Sequence, residues 1–321
     1  MNAAGLRAAF LWACALDVAV AKPGNVSVHS AGHGMEAHMF FDSARAAAPG
    51  LLEPGRPVGE RIEAAVVATR AAAGCNTNLG ILLLCAPIAA AVERWRANEI
   101  ALPDAALAAA HPARSRMPQD DDADGFIPAA FVAALDAVLA ELTVADARAA
   151  YRAIAHASPG GLGDAPEQSV LAEPTIDLRA AMRLAADRDL IAAQYADGFP
   201  QVLTAARRFA DGPPEAAMLA VFMGLLARFP DSHIARKYGT VAAQTVTDQA
   251  ARLWLPESRL PSSRPPQALA DWDASLKALG MNPGTTADLS VASAFLAACV
   301  DPSLRQRVPA ALAGIDGMES D

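Results

Sequence analysis

GCNTNLGILLLCAPIAAA, from Gly74 to Ala91, is the stretch that decides the fold class of this chain. Three polar residues, Asn76, Thr77 and Asn78, are followed by thirteen almost wholly apolar residues. Asn76 or Thr77 can cap the helix that follows, and the first backbone N–H groups of that helix are suited to holding a phosphate. An ordinary capped core helix has the same local pattern, so the rest of the chain must decide between the two interpretations.

The composition extends the helical prediction to the whole chain. Hydrophobic residues make up 53% of the 321 residues and aromatic residues only 5%, so most of the apolar content is Ala and Leu, which favour helix over sheet. We therefore predict an all-α fold, a single multi-helix globular bundle over residues 1–321. Two stretches rich in proline, 111–128 and 256–267, are expected to be loops.

Charge and cysteine usage exclude several classes of protein. A net charge of −9 argues against a nucleic-acid partner, because phosphate backbones are held by clustered Lys and Arg. The longest apolar run is interrupted by Pro87 and is shorter than the ~18–20 residues that a membrane span needs. None of the four cysteines forms a C-x-x-C pair, which indicates reduced thiols in a cytoplasmic protein. The sequence leaves a homodimer open.

Apolar periodicity and helix-boundary signals predict most of the secondary structure. Thr143, with Asp146 three residues later, is a variant capping box at the start of one helix. The helices are predicted over residues 3–21, 60–73, 79–97, 129–141, 144–157, 176–197, 200–211 and 214–228, with a last helix after Asn282.

Polar, glycine-bearing turns separate these helices and carry most of the candidate chemistry. Lys22 and Asn25 lie in a KPGN turn, and Gly80 lets the backbone pass close to a ligand. His33, three residues before Glu36, suits a metal or acid–base role, although a solvated loop is also consistent. Asp164 ends the flexible segment SPGGLGD, which can present a carboxylate or be a plain connector.

Two further groups of charged residues have open interpretations. Asp187 and Asp189, in the middle of the predicted helix over 176–197, are either surface decoration or Mg²⁺ ligands in a polar cavity. In PDSHIARKYG, Asp231 or Ser232 can cap a helix. Three basic residues on that helix, spaced three and four apart, would share one face; these are His233, Arg236 and Lys237. That face is either a phosphate-binding site or a basic surface patch.

Taken together and in this order, the turns resemble those of the triphosphoribosyl-dephospho-CoA synthase family. The resemblance rests on six motifs that span nearly the whole chain: KPGN at 22–25, GCNTNLG at 74–80, PGGLGD at 159–164, AADRDLIAAQY at 185–195, PDSHIARKYG at 230–239 and NPGTTADL at 282–289. The chain departs from the citrate and malonate pathway enzymes, which typically read NTHKG, GARGEA and PGGSADLLA at three of these places. The forms found here look more like a divergent branch of archaea and methylotrophic bacteria, and this resemblance implies a link to methanopterin-type cofactors.

The resemblance implies a transferase that moves the ribose triphosphate of ATP onto a ribose hydroxyl of dephospho-CoA and releases adenine. Under that expectation Asp164 and His33 act at the glycosidic centre. The phosphates and nucleotide are held by Lys22, Asn25, Asn76, Thr77, Asn78, Gly80, His233, Arg236 and Lys237, and Mg²⁺ by Asp187, Asp189 and Asp231. Two alternatives stay open: phosphoribosyl transfer to a tetrahydromethanopterin precursor, and a non-catalytic nucleotide-binding scaffold.

Overall fold

A computed structural model describes residues 2–101, 125–157, 169–170, 172–210, 212–254 and 267–307. Over these residues the chain forms α-helices and two short 3-10 helices, Arg207–Phe209 and Pro302–Gln306, without any β-strand, which confirms the all-α prediction. The α-helices are, in order, α1 Ala3–Ala19, α2 Ala37–Leu51, α3 Val58–Ala73, α4 Leu79–Ala101, α5 Ala129–Ala140, α6 Val144–Ala157, α7 Leu178–Arg183, α8 Leu190–Asp197, α9 Pro200–Ala206, α10 Pro214–Leu226, α11 Ser232–Tyr238, α12 Thr240–Leu253, α13 Gln267–Ala278 and α14 Gly284–Val300.

Most predicted helices are present, but the one expected over residues 176–197 is two. A run of turns at 184–188 separates α7 from α8. Asp189 is the reason, because its Oδ1 accepts hydrogen bonds from the backbone N–H of Ile191 at 2.9 Å and of Ala192 at 3.1 Å and so begins a new helix. Helices α2, α12 and α13 were not predicted. Most of the expected loops at 111–128 and 256–267 lie outside the described residues.

The core is built around α4 and α14, which pack against each other and against α1, α3, α5, α9 and α10. Nearly every side chain of α14 is buried, and the Phe295 ring meets Phe10 of α1 edge to face, with centroids 5.9 Å apart. The buried hydroxyl of Tyr195 donates to the carbonyl oxygen of Leu83 at 2.6 Å and so ties α8 to α4. None of the described helices combines the length and apolarity needed to cross a bilayer.

The contact between α3 and α6 depends on a glycine. The Gly59 N–H donates to Asp146 Oδ1 at 2.8 Å, and a β-carbon at position 59 would lie 2.4 Å from the backbone oxygen of Asp146. Asp146 Oδ2 also accepts from the N–H and hydroxyl of Thr143, at 2.9 and 2.7 Å, as the predicted capping box requires.

Remote turns pack on one another at the end of the bundle where α14 begins. Gly24, at φ +78°, donates its N–H to Asp273 Oδ1 at 2.8 Å, and a β-carbon there would come within 2.8 Å of Pro283 Cδ. Next to it, Asn25 Nδ2 donates to Asn282 Oδ1 at 3.1 Å. The KPGN and NPGTT turns are therefore in direct contact although they lie more than 250 residues apart.

Candidate active site

A cavity of about 930 Å³ lies where these turns meet. It has the volume of a typical ligand site. One part of its wall is polar and comes from four predicted turns, from the segment with Asp187 and Asp189 and from Asp17 of α1, and the other part is apolar. The polar part includes Asp17, Asn25, Asn76, Thr77, Asn78, Gly80, Asp187, Asp189, Ser232, His233, Arg236, Asn282 and Asp288; the apolar part includes Met35, Phe40, Ile154, Met182, Leu184, Phe229 and Val241.

The start of α4 forms one side of the cavity. Asn76 Oδ1 accepts a hydrogen bond from the N–H of Leu79 at 3.1 Å, as its predicted capping role requires, and Thr77 donates to the hydroxyl of Ser43 at 2.6 Å. The side chain of Asn78 is buried, and neither amide atom has a hydrogen-bond partner among the described residues. Because unpaired buried amides are costly, Asn78 has both a donor and an acceptor available for a ligand.

Asp17 and Lys22 form a buried ion pair with Nζ and Oδ1 3.0 Å apart. Nζ also donates to the backbone carbonyl oxygens of Asp17 and Val20. Burial lowers the pKa of Lys22 and raises that of Asp17, and the attraction between the two opposes both shifts. Asp17 lines the cavity, but Lys22 does not, which corrects the expectation that Lys22 contacts phosphate: its donors are used inside the fold.

Arg236 is the cation that α11 presents to the cavity. Its Nη1 lies 2.5 Å from Asp189 Oδ2, and its Nε is buried without a hydrogen-bond partner among the described residues. Burial lowers the pKa of neighbouring His233 to about 4, and the positive charges of Arg236 and Lys237 act in the same direction, so His233 is neutral near pH 7. Lys237 is exposed beside the Tyr238 ring and does not line the cavity. The predicted grip of three cations is therefore one cation with a neutral imidazole.

His33 does not reach the cavity wall. Its Nε2 lies 2.8 Å from the carbonyl oxygen of Gly24, and its backbone has the left-handed φ of 55°. The ring therefore contacts the KPGN turn, and the role of His33 in protonating a leaving group stays a prediction. Asp164 lies outside the described residues, so its predicted role stays a prediction.

The three predicted magnesium ligands have different surroundings. Both oxygens of the fully buried Asp231 are taken: Oδ1 accepts from the N–H groups of His233 and Ile234, and Oδ2 from the N–H and hydroxyl of Thr286. Asp189 is occupied by its own helix and by Arg236. Asp187 is 82% exposed, with a 3.4 Å contact to Arg188 at one oxygen. In the described part of the chain no group of three or more His, Cys, Asp or Glu could hold a metal. Of the three predicted magnesium ligands, only Asp187 retains a carboxylate oxygen without a partner among the described residues.

Asp288 is a site residue that the sequence analysis did not single out. It lines the cavity, it has no hydrogen-bond partner in the described ranges, and a β-carbon on Gly80 would lie 2.0 Å from its Oδ2. Burial raises the pKa of Asp288 well above its usual range, and the nearby carboxyls of Asp231 and Asp17 raise it further. The signal in the sequence was an acid in the first turns of an otherwise apolar buried helix.

Comparisons with known proteins agree with this geometry. The family of ATP:dephospho-CoA triphosphoribosyl transferases, CitG, matches residues 3–306. A crystal structure from Archaeoglobus fulgidus, provisionally described as a triphosphoribosyl-dephospho-CoA synthase, is 25% identical, with a TM-score of 0.56 over 81% of this chain and 98% of that one. No curated protein matches significantly. Because this family match covers almost the whole chain, the chain belongs to the ATP:dephospho-CoA triphosphoribosyl transferase family.

Proposed function

We propose that this enzyme transfers the triphosphoribosyl group of ATP to a ribose hydroxyl of dephospho-CoA and releases adenine. The observation that carries the proposal is the single cavity lined by Asn76, Asp187 and Arg236, which come from three distant family motifs. Polar groups from five parts of the chain line this cavity, and Asn78 adds buried amide atoms without partners among the described residues, which supports a site for a polar ligand.

The nucleotide would be oriented by amide side chains. Asn25 and Asn282 are linked by a hydrogen bond and both line the cavity, and Asn78 offers a free donor and acceptor. These groups suit ribose hydroxyls, which donate and accept at once. Arg236 supplies positive charge for the phosphate chain.

The charge of the cavity supports a magnesium complex of ATP as the donor. Among the described lining residues, Arg188 and Arg236 carry the positive side-chain charges, and Arg236 is paired with Asp189. These cations are too few to neutralise a triphosphate by themselves. Mg²⁺ binds through one or two carboxylates together with water and phosphate oxygens, and the open Asp187 fits that role, whereas Asp189 and Asp231 do not. When bound, the ion would neutralise phosphate charge.

The difficult step of the reaction is breaking the bond between the ribose C1′ of ATP and adenine. As the bond to adenine breaks, the ribose carbon becomes cationic, the departing base needs a proton, and the incoming hydroxyl must lose one. A carboxylate close to C1′ can stabilise the positive charge. Asp164 remains our sequence-based candidate for that role, and the described residues Ser169 and Val170, five and six positions further on, line the cavity.

The test is a product assay. Purified protein is incubated with ATP, dephospho-CoA and Mg²⁺, and free adenine is quantified by chromatography, with ATP alone as the control. Acceptor-dependent release of adenine supports the proposal. Pyrophosphate release from phosphoribosyl pyrophosphate with a pterin precursor would select the methanopterin-type reaction instead, and neither product under any condition would indicate a binding scaffold.

A further inference from the structure

The carboxyl group of Asp288 occupies an unusual position in the cavity wall. It lies on α14 against Gly80 at the start of α4, so closely that any side chain at position 80 would displace it. No residue in the described part of the chain donates a hydrogen bond to it. Nearby Thr286 cannot do so, because its N–H and its hydroxyl both donate to Asp231. A carboxyl group with space, cavity access and no internal partner is available to a ligand.

The surroundings of Asp288 favour its neutral form. Three carboxyl groups act on it, Asp17 from α1 and Asp189 and Asp231 from the starts of α8 and α11. Arg236 is the cation that lowers the pKa of Asp288, but it forms an ion pair with Asp189. Cys85 of α4 also faces Asp288, and burial raises the pKa of that thiol well above its usual range, so it adds no charge. Like charges and burial both disfavour a carboxylate, so Asp288 keeps its proton.

Asp17 lies on the same cavity but differs from Asp288 in having a cation beside it. Lys22 Nζ lies 3.0 Å from Asp17 Oδ1, and this ion pair opposes the rise in pKa that burial imposes on Asp17. One carboxyl group paired with a cation and one without a partner among the described residues are suited to the roles of general base and general acid.

We propose that Asp288 is the general acid that protonates the departing base and that Asp17 is the general base that takes the proton of the acceptor hydroxyl. This assignment rests on the proposed function. The electron pair of the C1′–N bond leaves with the base, which receives the Asp288 proton on a ring nitrogen. A lone pair of the hydroxyl oxygen forms the new C1′–O bond, and the hydroxyl proton passes to Asp17. Exchange with water then restores both groups.

Two separate groups are what the stereochemistry requires. A single displacement that converts the β-linked base of ATP into an α-linked ribose needs its acid and its base on opposite faces of the sugar. Asp17 and Asp288 come from two different helices that pack side by side, α1 and α14, and both line the same cavity.

The first experiment does not depend on turnover. Infrared spectra of the substrate-free protein at pH 7 are compared between wild type and Asp288→Asn, with exposed Asp271→Asn on α13 as the matched control. We expect the C=O stretch of a neutral carboxylic acid to disappear in Asp288→Asn only. If the band is unchanged by Asp288→Asn, Asp288 is ionised and the assignment is overturned, whether or not the enzyme is active.

The second experiment measures adenine release as a function of pH. Asp288→Asn should lower kcat by roughly 10²–10⁴-fold, the usual contribution of a general acid, and should remove the decline in rate at high pH, while ATP affinity changes less than threefold. Asp17→Asn alone would leave a buried lysine charge unpaired, so Asp17→Asn is combined with Lys22→Met, and this double variant should lose the decline at low pH.

These results distinguish a failure of the Asp288 assignment from a failure of the proposed function. A kcat for Asp288→Asn within threefold of wild type, or a pH profile that keeps its high-pH limb, would overturn the role of Asp288. Wild-type protein that shows the infrared band but releases no adenine would overturn the proposed function and the catalytic assignment with it. Gly80→Ala is the second variant: its added carbon displaces the Asp288 carboxyl, and we expect the same loss in kcat from a folded protein.

Discussion

Asp231 and Thr286, 55 residues apart, are joined by two hydrogen bonds, from the Thr286 N–H and from its hydroxyl to the same Asp231 oxygen, each 2.8 Å long. The other Asp231 oxygen caps α11. One buried carboxylate therefore holds the starts of α11 and α14 together and sets the position of both His233 and Asp288 in the cavity wall.

Asp231→Ala should destabilise the protein strongly, because it removes a helix cap and leaves four donors without their acceptor. We expect a loss of about 3 kcal/mol or more in the free energy of unfolding, measured by urea titration of the full chain. Asp248→Ala, at an exposed position of α12, is the control and should change it by less than about 0.5 kcal/mol. A change at Asp231 as small as that would contradict a structural role.

The half-buried imidazole of His233 should make stability depend on pH. Its folded pKa of about 4 lies below the ordinary value of 6.5, so between these values the unfolded chain binds more protons than the folded one. Stability should fall as the pH is lowered through this window, by up to about 3 kcal/mol from this group. The difference in unfolding free energy between wild type and His233→Asn, measured from pH 7 to pH 4, isolates the effect. A difference that is independent of pH would show that His233 titrates normally.

Arg236→Ala should weaken ATP binding by roughly 10–100-fold, since a charge-assisted hydrogen bond contributes about 1.5–3 kcal/mol. Calorimetric titration with ATP and Mg²⁺ is the measurement. Arg252→Ala, exposed near the end of α12, should leave the affinity unchanged. Equal effects of the two substitutions would mean that Arg236 acts only through the net charge of the protein.

Asp187→Asn should raise the Mg²⁺ concentration needed for half-maximal adenine release, because Asp187 has the open carboxylate among the three predicted ligands. The assay is a magnesium titration at saturating ATP, with Asp271→Asn as the control. An unchanged magnesium requirement in Asp187→Asn would place the ion elsewhere.

Gly59→Ala should cost about 1–3 kcal/mol of stability, because the added carbon meets the backbone of Asp146, which can move only if α3 and α6 separate. Gly224→Ala is the matched control. It lies within α10, has no atom within 4 Å of an added β-carbon, and should stabilise the helix by about 0.5–1 kcal/mol. Thermal unfolding of both variants checks the contrast.

The sequence alone was sufficient to predict the fold class and several helix caps. Few aromatics and abundant Ala and Leu predicted an all-α fold, and the capping roles of Asn76 and Thr143 followed from side chains that satisfy N–H groups within three residues. The break between α7 and α8 was not predicted, because the apolar pattern continues on both sides of Asp189, whereas the side chain of Asp189 caps a new helix. The ordered motifs were also sufficient to indicate the family.

What the tertiary structure alone decided is which polar side chains face the cavity. Lys22 and His33 read as catalytic or phosphate-binding residues, yet one is neutralised by Asp17 inside the fold and the other contacts a turn. Asp288 read as an ordinary helix residue, yet α14 carries it against Gly80. Burial and partners depend on elements far apart in the sequence, such as those of Asp17 and Asp288, which are 271 positions apart, and a local pattern does not show which distant residues will be neighbours.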